Sequence, residues 1–199
     1  MGAGRGGCLA WACGITKPIG APWTLHPQPD RRGVSGSPTT EQVWEALDEA
    51  FFGVLAFVNR DGHPRTAGVC YVVDARSLYI STAKDMWKVR HIAANPNVSM
   101  TVTLPKRVPF LPFIKIPAAT ITFRGEAQIL EVGDIPVSVF ERLPRGKEFD
   151  PSVLDRTAII RIIPRGEFVT YGIAMPVTQM RKHEEAHGRA ATGTDEIDI

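Results

Sequence analysis

From Thr39 onward the apolar positions follow two periods, one near 3.6 and one of 2, and each predicts its own element. Val43, Leu47, Phe51 and Phe52 recur at roughly helical spacing behind Thr39 and Gln42, a pair with capping-box spacing, which predicts a short amphipathic helix. Gly53-Val-Leu-Ala-Phe-Val58 and Thr66-Ala-Gly-Val-Cys-Tyr-Val-Val73 are rich in β-formers and flank Asp61-Gly62, so they predict a hairpin. Asp74-Ala-Arg-Ser77 predicts a second turn, into a strand over 78–81. The polar Thr82-Ala-Lys-Asp85 then opens a helix over 86–94 that Asn95-Pro96-Asn97 stops, and a strand over 98–104 follows. Residues 105–117 carry four prolines and predict an apolar, basic loop. Beyond it the pattern predicts a long strand over 118–130, a helix over 134–143 capped by Asp134, and strands over 157–163 and 167–171 around Pro164-Arg-Gly166. About six short strands joined by tight turns, with a few flanking helices, favour a mainly β, antiparallel barrel over a parallel βαβ sheet.

Ahead of this pattern, residues 1–38 hold 8 of the 18 glycines and 5 of the 16 prolines with one acid, Asp30, and show neither period. They predict a disordered extension before a patterned domain over 39–175, and 176–199 reads as a polar tail, frayed from Arg181. Cys8-Leu-Ala-Trp-Ala-Cys13 has the order of a signal peptide, but its apolar core stands at the bottom of the required length. Val34 is an alternative start just ahead of the first patterned segment. A net charge of +2 over 199 residues lacks the positive excess of a dedicated nucleic-acid binder. No run of 18 apolar residues predicts a membrane span, and three cysteines cannot complete a disulfide framework. A cytoplasmic location is the expectation.

A literal zinc-peptidase pattern occurs at His183-Glu-Glu-Ala-His187, where a helix would put His183 and His187 on one face for zinc with Glu184 as general base. Its flanks, Arg181-Lys182 before and Gly188 after, give such a helix no apolar face to bury, so a solvated tail is favoured and no metal site is expected. Cys70, in mid-strand between Val69 and Tyr71, reads as a small buried hydrophobe. No Gly-x-Ser-x-Gly elbow, phosphate-binding P-loop or Gly-x-Gly-x-x-Gly turn is present. The segment that carries chemistry runs from Ser81-Thr82 through Lys84 and Lys88 to His91. Hydroxyls at a strand end, followed by a helix start with lysines, suit a phosphate group, although capping hydroxyls and exposed lysines are also common without a ligand.

Taken in order, the helix, the hairpin with Gly62-His-Pro64-Arg65, the strand reaching Tyr71-Val-Val-Asp74, Leu78-Tyr-Ile-Ser-Thr82 and then Lys88-Val-Arg90-His-Ile-Ala-Ala-Asn-Pro-Asn-Val98 resemble the pyridoxamine 5'-phosphate oxidase-like split β-barrel superfamily, which includes flavin- and deazaflavin-dependent reductases. The resemblance covers roughly residues 40–172. It implies a split antiparallel β-barrel that pairs into a homodimer, with the cofactor across the interface. Ser81, Thr82 and Lys88 would hold the cofactor phosphate, with Lys84 as a helper. The strand with Arg65, Gly68, Val69 and Tyr71 would run beneath the ring system, while Arg90 and His91 pack the helix or reach the partner. FMN is the first expectation, the deazaflavin coenzyme F-420 the second, and haem, with His63 or His91 as axial ligand, the third. The implied function is hydride transfer between that cofactor and a small-molecule substrate, without catalytic side chains of the protein's own. A flavin- or haem-binding protein without turnover is the alternative. Phe110, Leu111, Phe113 and Ile114, with Lys106, Arg107 and Lys115, then become candidates for lining a substrate pocket. Vitamin salvage is not expected, because the chain ends in Thr-Asp-Glu-Ile-Asp-Ile where true pyridoxamine phosphate oxidases carry an Arg-Leu-x-Pro-like motif.

Overall fold

In the computed structural model, which describes residues 37–105, 118–143, 151–173 and 186–194, the Thr39 capping box forms. Thr39 Oγ1 accepts from the Gln42 amide at 3.2 Å and Gln42 Oε1 accepts from the Thr39 amide at 2.9 Å. Helix α1 (Thr40–Glu49) therefore starts with side-chain partners for its free amides and turns Val43, Trp44 and Leu47 inward. Strands β1 (Phe52–Val58) and β2 (Pro64–Cys70) make the predicted hairpin, in register from Phe52 opposite Cys70 to Val58 opposite Pro64. Gly62 at its tip adopts φ +79°, a left-handed conformation open to a residue without Cβ, and Asn59 Oδ1 accepts from the amides of Asp61 and His63.

The strand predicted over 66–73 breaks at Tyr71. β2 ends at Cys70 and stays with β1, whereas β3 (Val72–Asp74) pairs with β4 (Ser77–Ala83). Tyr71 itself is held at both ends: its amide donates to the Phe51 carbonyl at 3.0 Å and its buried hydroxyl to the Leu47 carbonyl at 2.9 Å. Leu47 lies in the last turn of α1, where carbonyls lack helix partners, so the phenol satisfies an orphan acceptor. After β4 come α2 (Trp87–Ala94), β5 (Asn97–Leu104), β6 (Ala119–Glu131), the short helices α3 (Val137–Arg142) and α4 (Pro151–Leu154), then β7 (Thr157–Tyr171) and β8 (His187–Ala191). The antiparallel sheet runs β2-β1-β5-β6-β7-β4-β3, with β8 added to β7. The two ends of that order, β2 and β3, are joined through one residue, so the sheet must curl on itself. The result is a mainly β half-barrel with few helices.

Alternation decides which side chains fill it. Leu55, Phe57, Ile80, Met100, Ile121, Phe123, Ile160, Ile162 and Phe168 point to the interior, closed at one end by α1, where Trp44 and Phe123 each meet Phe168 edge-on. Outside the barrel, Val72, Tyr79 and Ile159 form a second cluster, covered by Ile135, Val139 and Leu143 around α3.

Three further elements differ from the sequence reading. Asp134 does not cap a helix over 134–143: it closes a 3-10 turn Val132–Asp134, accepting from the Glu131 amide, and Pro136 holds Ile135 extended so that α3 starts only at Val137. The strands over 157–163 and 167–171 are one strand. β7 runs through Pro164 because Gly125 lies opposite, where a Cβ would stand 2.7 Å from the Ile163 carbonyl, and because a bulge absorbs the irregularity: Thr122 faces Val169 while Arg124 faces Arg165. Finally, residues 187–191 of the expected frayed tail form β8. Its inward positions are Gly188 and Ala190, small side chains that leave no apolar alternation to read.

Candidate functional site

At the end of β4 the ladder with β7 runs from Ser81 opposite Ile159 to Ala83 opposite Thr157, and the Lys84 amide extends it by donating to the Arg156 carbonyl at 2.8 Å. The chain then turns straight into α2. Met86, at its N-cap, supplies no side-chain hydrogen bond to the helix start. A cleft of about 590 Å³ opens here between three walls. Gly68, Val69 and Cys70 of β2 form one wall, and Ile80 to Ala83 of β4 with Met86 and Lys88 form the second. Val153, Arg156 and Thr157 form the third.

Of the residues expected to bind a cofactor, the structure brings Gly68, Val69, Ser81, Thr82 and Lys88 together in this lining. Three lie outside it. Lys84 is turned to Glu131, 2.5 Å from its carboxylate. Arg65 is exposed on β2 opposite Phe57, three residues before Gly68. Tyr71 belongs to the core, with its hydroxyl and amide both engaged as described. Lys88 is half-buried and has neither hydrogen-bond nor ion-pair partner among the described residues. Burial holds its amine below the ordinary lysine range. A cation left without a counter-charge among the described residues, in a cleft beside two hydroxyls, could hold an anion.

Among the lining residues that sequence reasoning missed, three bear on the chemistry. Arg156 is an exposed second cation, and its place follows only from the β4/β7 register. Met86 flanks the helix start. Cys70, expected to be buried, is an exposed free thiol, since Gly68 and Cys70 share the outward parity of β2 with Phe52 and Val54 of β1 across the hairpin, while Val69 points inward. The ring of Phe52 lies over Gly68, where a Cβ would come within 2.9 Å of its Cζ.

His91 is half-buried beside Phe57 and Trp87, with ring centroids 6.2 and 6.1 Å away, and His63 stands exposed in the hairpin turn; neither lines the cleft. His187 opens β8 against the Tyr171 ring, in a strand and not a helix, while His183 and Glu184 lie outside the described residues. Among the described residues no cluster of metal-ligating side chains occurs, and no helix is long and apolar enough to cross a membrane. The 105–117 loop lies outside the described residues from Lys106 onward.

A curled antiparallel half-barrel with a cleft at the junction of β4 and α2 is the architecture of the split-barrel class. Residues 39–167 match the family described as pyridoxamine 5'-phosphate oxidase, and the chain belongs to it. No curated protein matches. Among solved structures, a candidate pyridoxamine 5'-phosphate oxidase from Listeria innocua is 20% identical, with a TM-score of 0.50 over 63% of this chain and 92% of that one. A heme binding protein from Mycobacterium smegmatis is 14% identical, with a TM-score of 0.58 over 78% of this chain and 58% of that one. HutZ, the heme storage protein from Vibrio cholerae, is 18% identical, with a TM-score of 0.50 over 67% and 94%. The fold is thus shared by proteins described as a candidate oxidase, a heme binding protein and a heme storage protein.

Proposed function

We propose that the protein is an oxidoreductase that binds FMN, with the deazaflavin coenzyme F-420 as the next cofactor to test, and exchanges hydride between that ring and a small-molecule substrate. The observation that carries the reading is the unpaired, half-buried Lys88 in one cleft with Ser81 and Thr82. These residues would hold the cofactor phosphate, with Arg156 as a second cation that the sequence did not suggest. Gly68 and Val69, on the facing strand, leave backbone accessible to the edge of the ring. Bound flavin supplies the hydride chemistry; the chain's own residues bind, orient and shield it.

Beside the β2 wall of the cleft, Phe51 is 70% and Phe52 45% exposed, with the Phe52 ring over Gly68. A second copy of the chain on this side would cover those rings and complete the cofactor enclosure, which supports a homodimer. An exposed free thiol at Cys70 goes with a reducing, cytoplasmic compartment.

The test is titration of cofactor-free protein with FMN, F-420 and haemin in turn, read by absorbance and flavin fluorescence, followed by reduction with a nicotinamide donor. Saturable uptake of one flavin per chain, with bleaching of its spectrum by donor and recovery on adding an acceptor, is the expected result. Uptake of haemin alone, or flavin uptake without any redox turnover, overturns the enzyme reading in favour of a carrier.

A further inference from the structure

Lys84 stands one residue past Ala83, the last residue of β4 and part of the cleft lining, yet its amine meets the Glu131 carboxylate at 2.5 Å instead of the cleft. The sheet explains how the two meet. Thr82 of β4 and Glu131, the last residue of β6, both face Ala158 of β7, one from each side. Two strand spacings, about 9.5 Å, therefore separate their backbones. Alternation gives Lys84 the side of the sheet taken by Ile80 and Thr82, which both line the cleft, and gives Glu131 the side taken by Ala127 and Ile129, which pack on the same core as Ile80. The lysine thus lies on the cleft side of β4 and is drawn from there across the end of β7. We propose that Glu131 sets the affinity of the cleft for a phosphorylated ligand by withholding Lys84 from it, an inference that rests on the reading of the cleft as the cofactor phosphate site.

Of the two partners, Glu131 is the fixed one. Its carboxylate accepts from the Asp134 amide while the Asp134 carboxylate accepts from the Glu131 amide at 3.2 Å, a reciprocal box that closes the turn Val132–Asp134. Lys84 is anchored through its backbone, where the amide donates to the Arg156 carbonyl at 2.8 Å, and carries its charge on a flexible four-carbon stem. The pair is partly exposed, 40% for the lysine side chain and 64% for the glutamate, so it contributes little to stability and its loss leaves the fold in place. Its effect is on where the charge sits. A built-in carboxylate competes with an arriving phosphate at the high effective concentration of an intramolecular partner. With Glu131 present the phosphate meets Lys88; without it, Lys84 becomes a second lysine beside Ser81 and Thr82.

Repulsion through space is the rival account, and it makes a different prediction. If Glu131 and Lys84 acted on the phosphate only as two separate charges, their contributions would be independent and the effects of substituting them would add. Withholding requires the opposite: Lys84 matters to the phosphate only once Glu131 is gone.

The experiment is a double-substitution cycle on the full chain at constant ionic strength. FMN dissociation constants are read from flavin fluorescence, with riboflavin, which lacks the phosphate, as the control ligand. Glu131→Gln keeps an oxygen for the Asp134 amide and loses the charge; it is expected to tighten FMN about fivefold, the gain from one partly exposed charge-assisted contact, and to leave riboflavin unchanged. Lys84→Gln in the parent is expected to change FMN affinity by less than about twofold, and in the Glu131→Gln background to remove the whole gain. Glu131→Ala is the second variant, in case the glutamine oxygen re-engages Lys84, and should tighten FMN at least as much. The Lys84 Cε resonance should shift on adding FMN to the Glu131 variants and stay in place in the parent. Equal effects of Lys84→Gln in both backgrounds, a gain shared by riboflavin, or no gain in either Glu131 variant overturns the proposal. If Lys88→Gln weakens FMN while the Glu131 variants leave it unchanged, the phosphate site stands and this proposal alone falls; a chain that does not bind FMN overturns both.

Discussion

Replacing Lys88 by glutamine tests the cleft through two quantities that should move in opposite directions. In the cofactor-free protein the amine is half-buried without a counter-charge, and its lowered pKa means that the folded state disfavours the charged form. Below the lysine's ordinary range that residue therefore opposes folding, and Lys88→Gln is expected to leave the apo melting temperature unchanged or raised. A bound phosphate reverses the balance. A hydrogen bond to a charged group contributes about 1.5–3 kcal/mol. Partial exposure places Lys88 in the lower part of that range, about 1.5–2 kcal/mol, or roughly 10- to 30-fold in the FMN dissociation constant. Fluorescence quenching of FMN measures the affinity, and a thermal melt of the same sample measures the stability. The pH dependence adds a third check: affinity should fall as pH rises through the lysine's lowered range, and that limb should flatten in the variant. Ionisation of the phosphate itself, near pH 6, acts on both proteins and cancels in the comparison. An FMN affinity within twofold of the parent, or an affinity loss matched by an equal loss of apo stability, would refute the assignment.

Other perturbations test the frame around the cleft. Tyr71→Phe strands the Leu47 carbonyl and should cost about 1–3 kcal/mol in urea unfolding at pH 7. Burial, with the Asp48 carboxylate adding to it, pushes the Tyr71 phenol well above its ordinary value; the folded protein keeps a proton that the unfolded chain loses near pH 10, so stability should fall as pH rises beyond about 10, less steeply in Tyr71→Phe. Gly125→Ala drives a Cβ to 2.7 Å from the Ile163 carbonyl and should destabilise by about 1–3 kcal/mol, read as a lowered urea midpoint with unchanged slope. Cys70 should react with a maleimide in apo protein and be protected by saturating cofactor; equal labelling in both states would place the cofactor elsewhere.

Elements whose information is local were readable from the chain. The Thr39 and Gln42 side chains cap α1 on their own segment, Asp61-Gly62 turns the hairpin at its tip, and Asn95-Pro96 ends α2 at once. The same locality put Ser81, Thr82 and Lys88 within one strand-to-helix junction. What escaped depends on partners remote in sequence. Nothing in Cys70-Tyr71-Val72 marks a break; it exists because β1 claims one side of Tyr71 and β4 the other. Pro164 looks like a strand end until Gly125 is seen across from it. Arg156 reaches the cleft only because β7 registers against the end of β4, and β8 has too few apolar side chains to show a period.

The position of β7 in the sheet has a consequence for biosynthesis. β7 hydrogen-bonds to β4, β6 and β8, and β4 lies about 80 residues upstream of it. Until residues 157–171 leave the ribosome, β4 has only the three-residue β3 beside it, and its other edge, the one that pairs with β7, stays open. A nascent chain paused before Thr157 therefore exposes an apolar strand with one free edge, the kind of surface that chaperones hold and that aggregates when they do not. Truncations ending just before and just after β7 should accordingly differ sharply in soluble yield, a difference set by the order in which the strands are made.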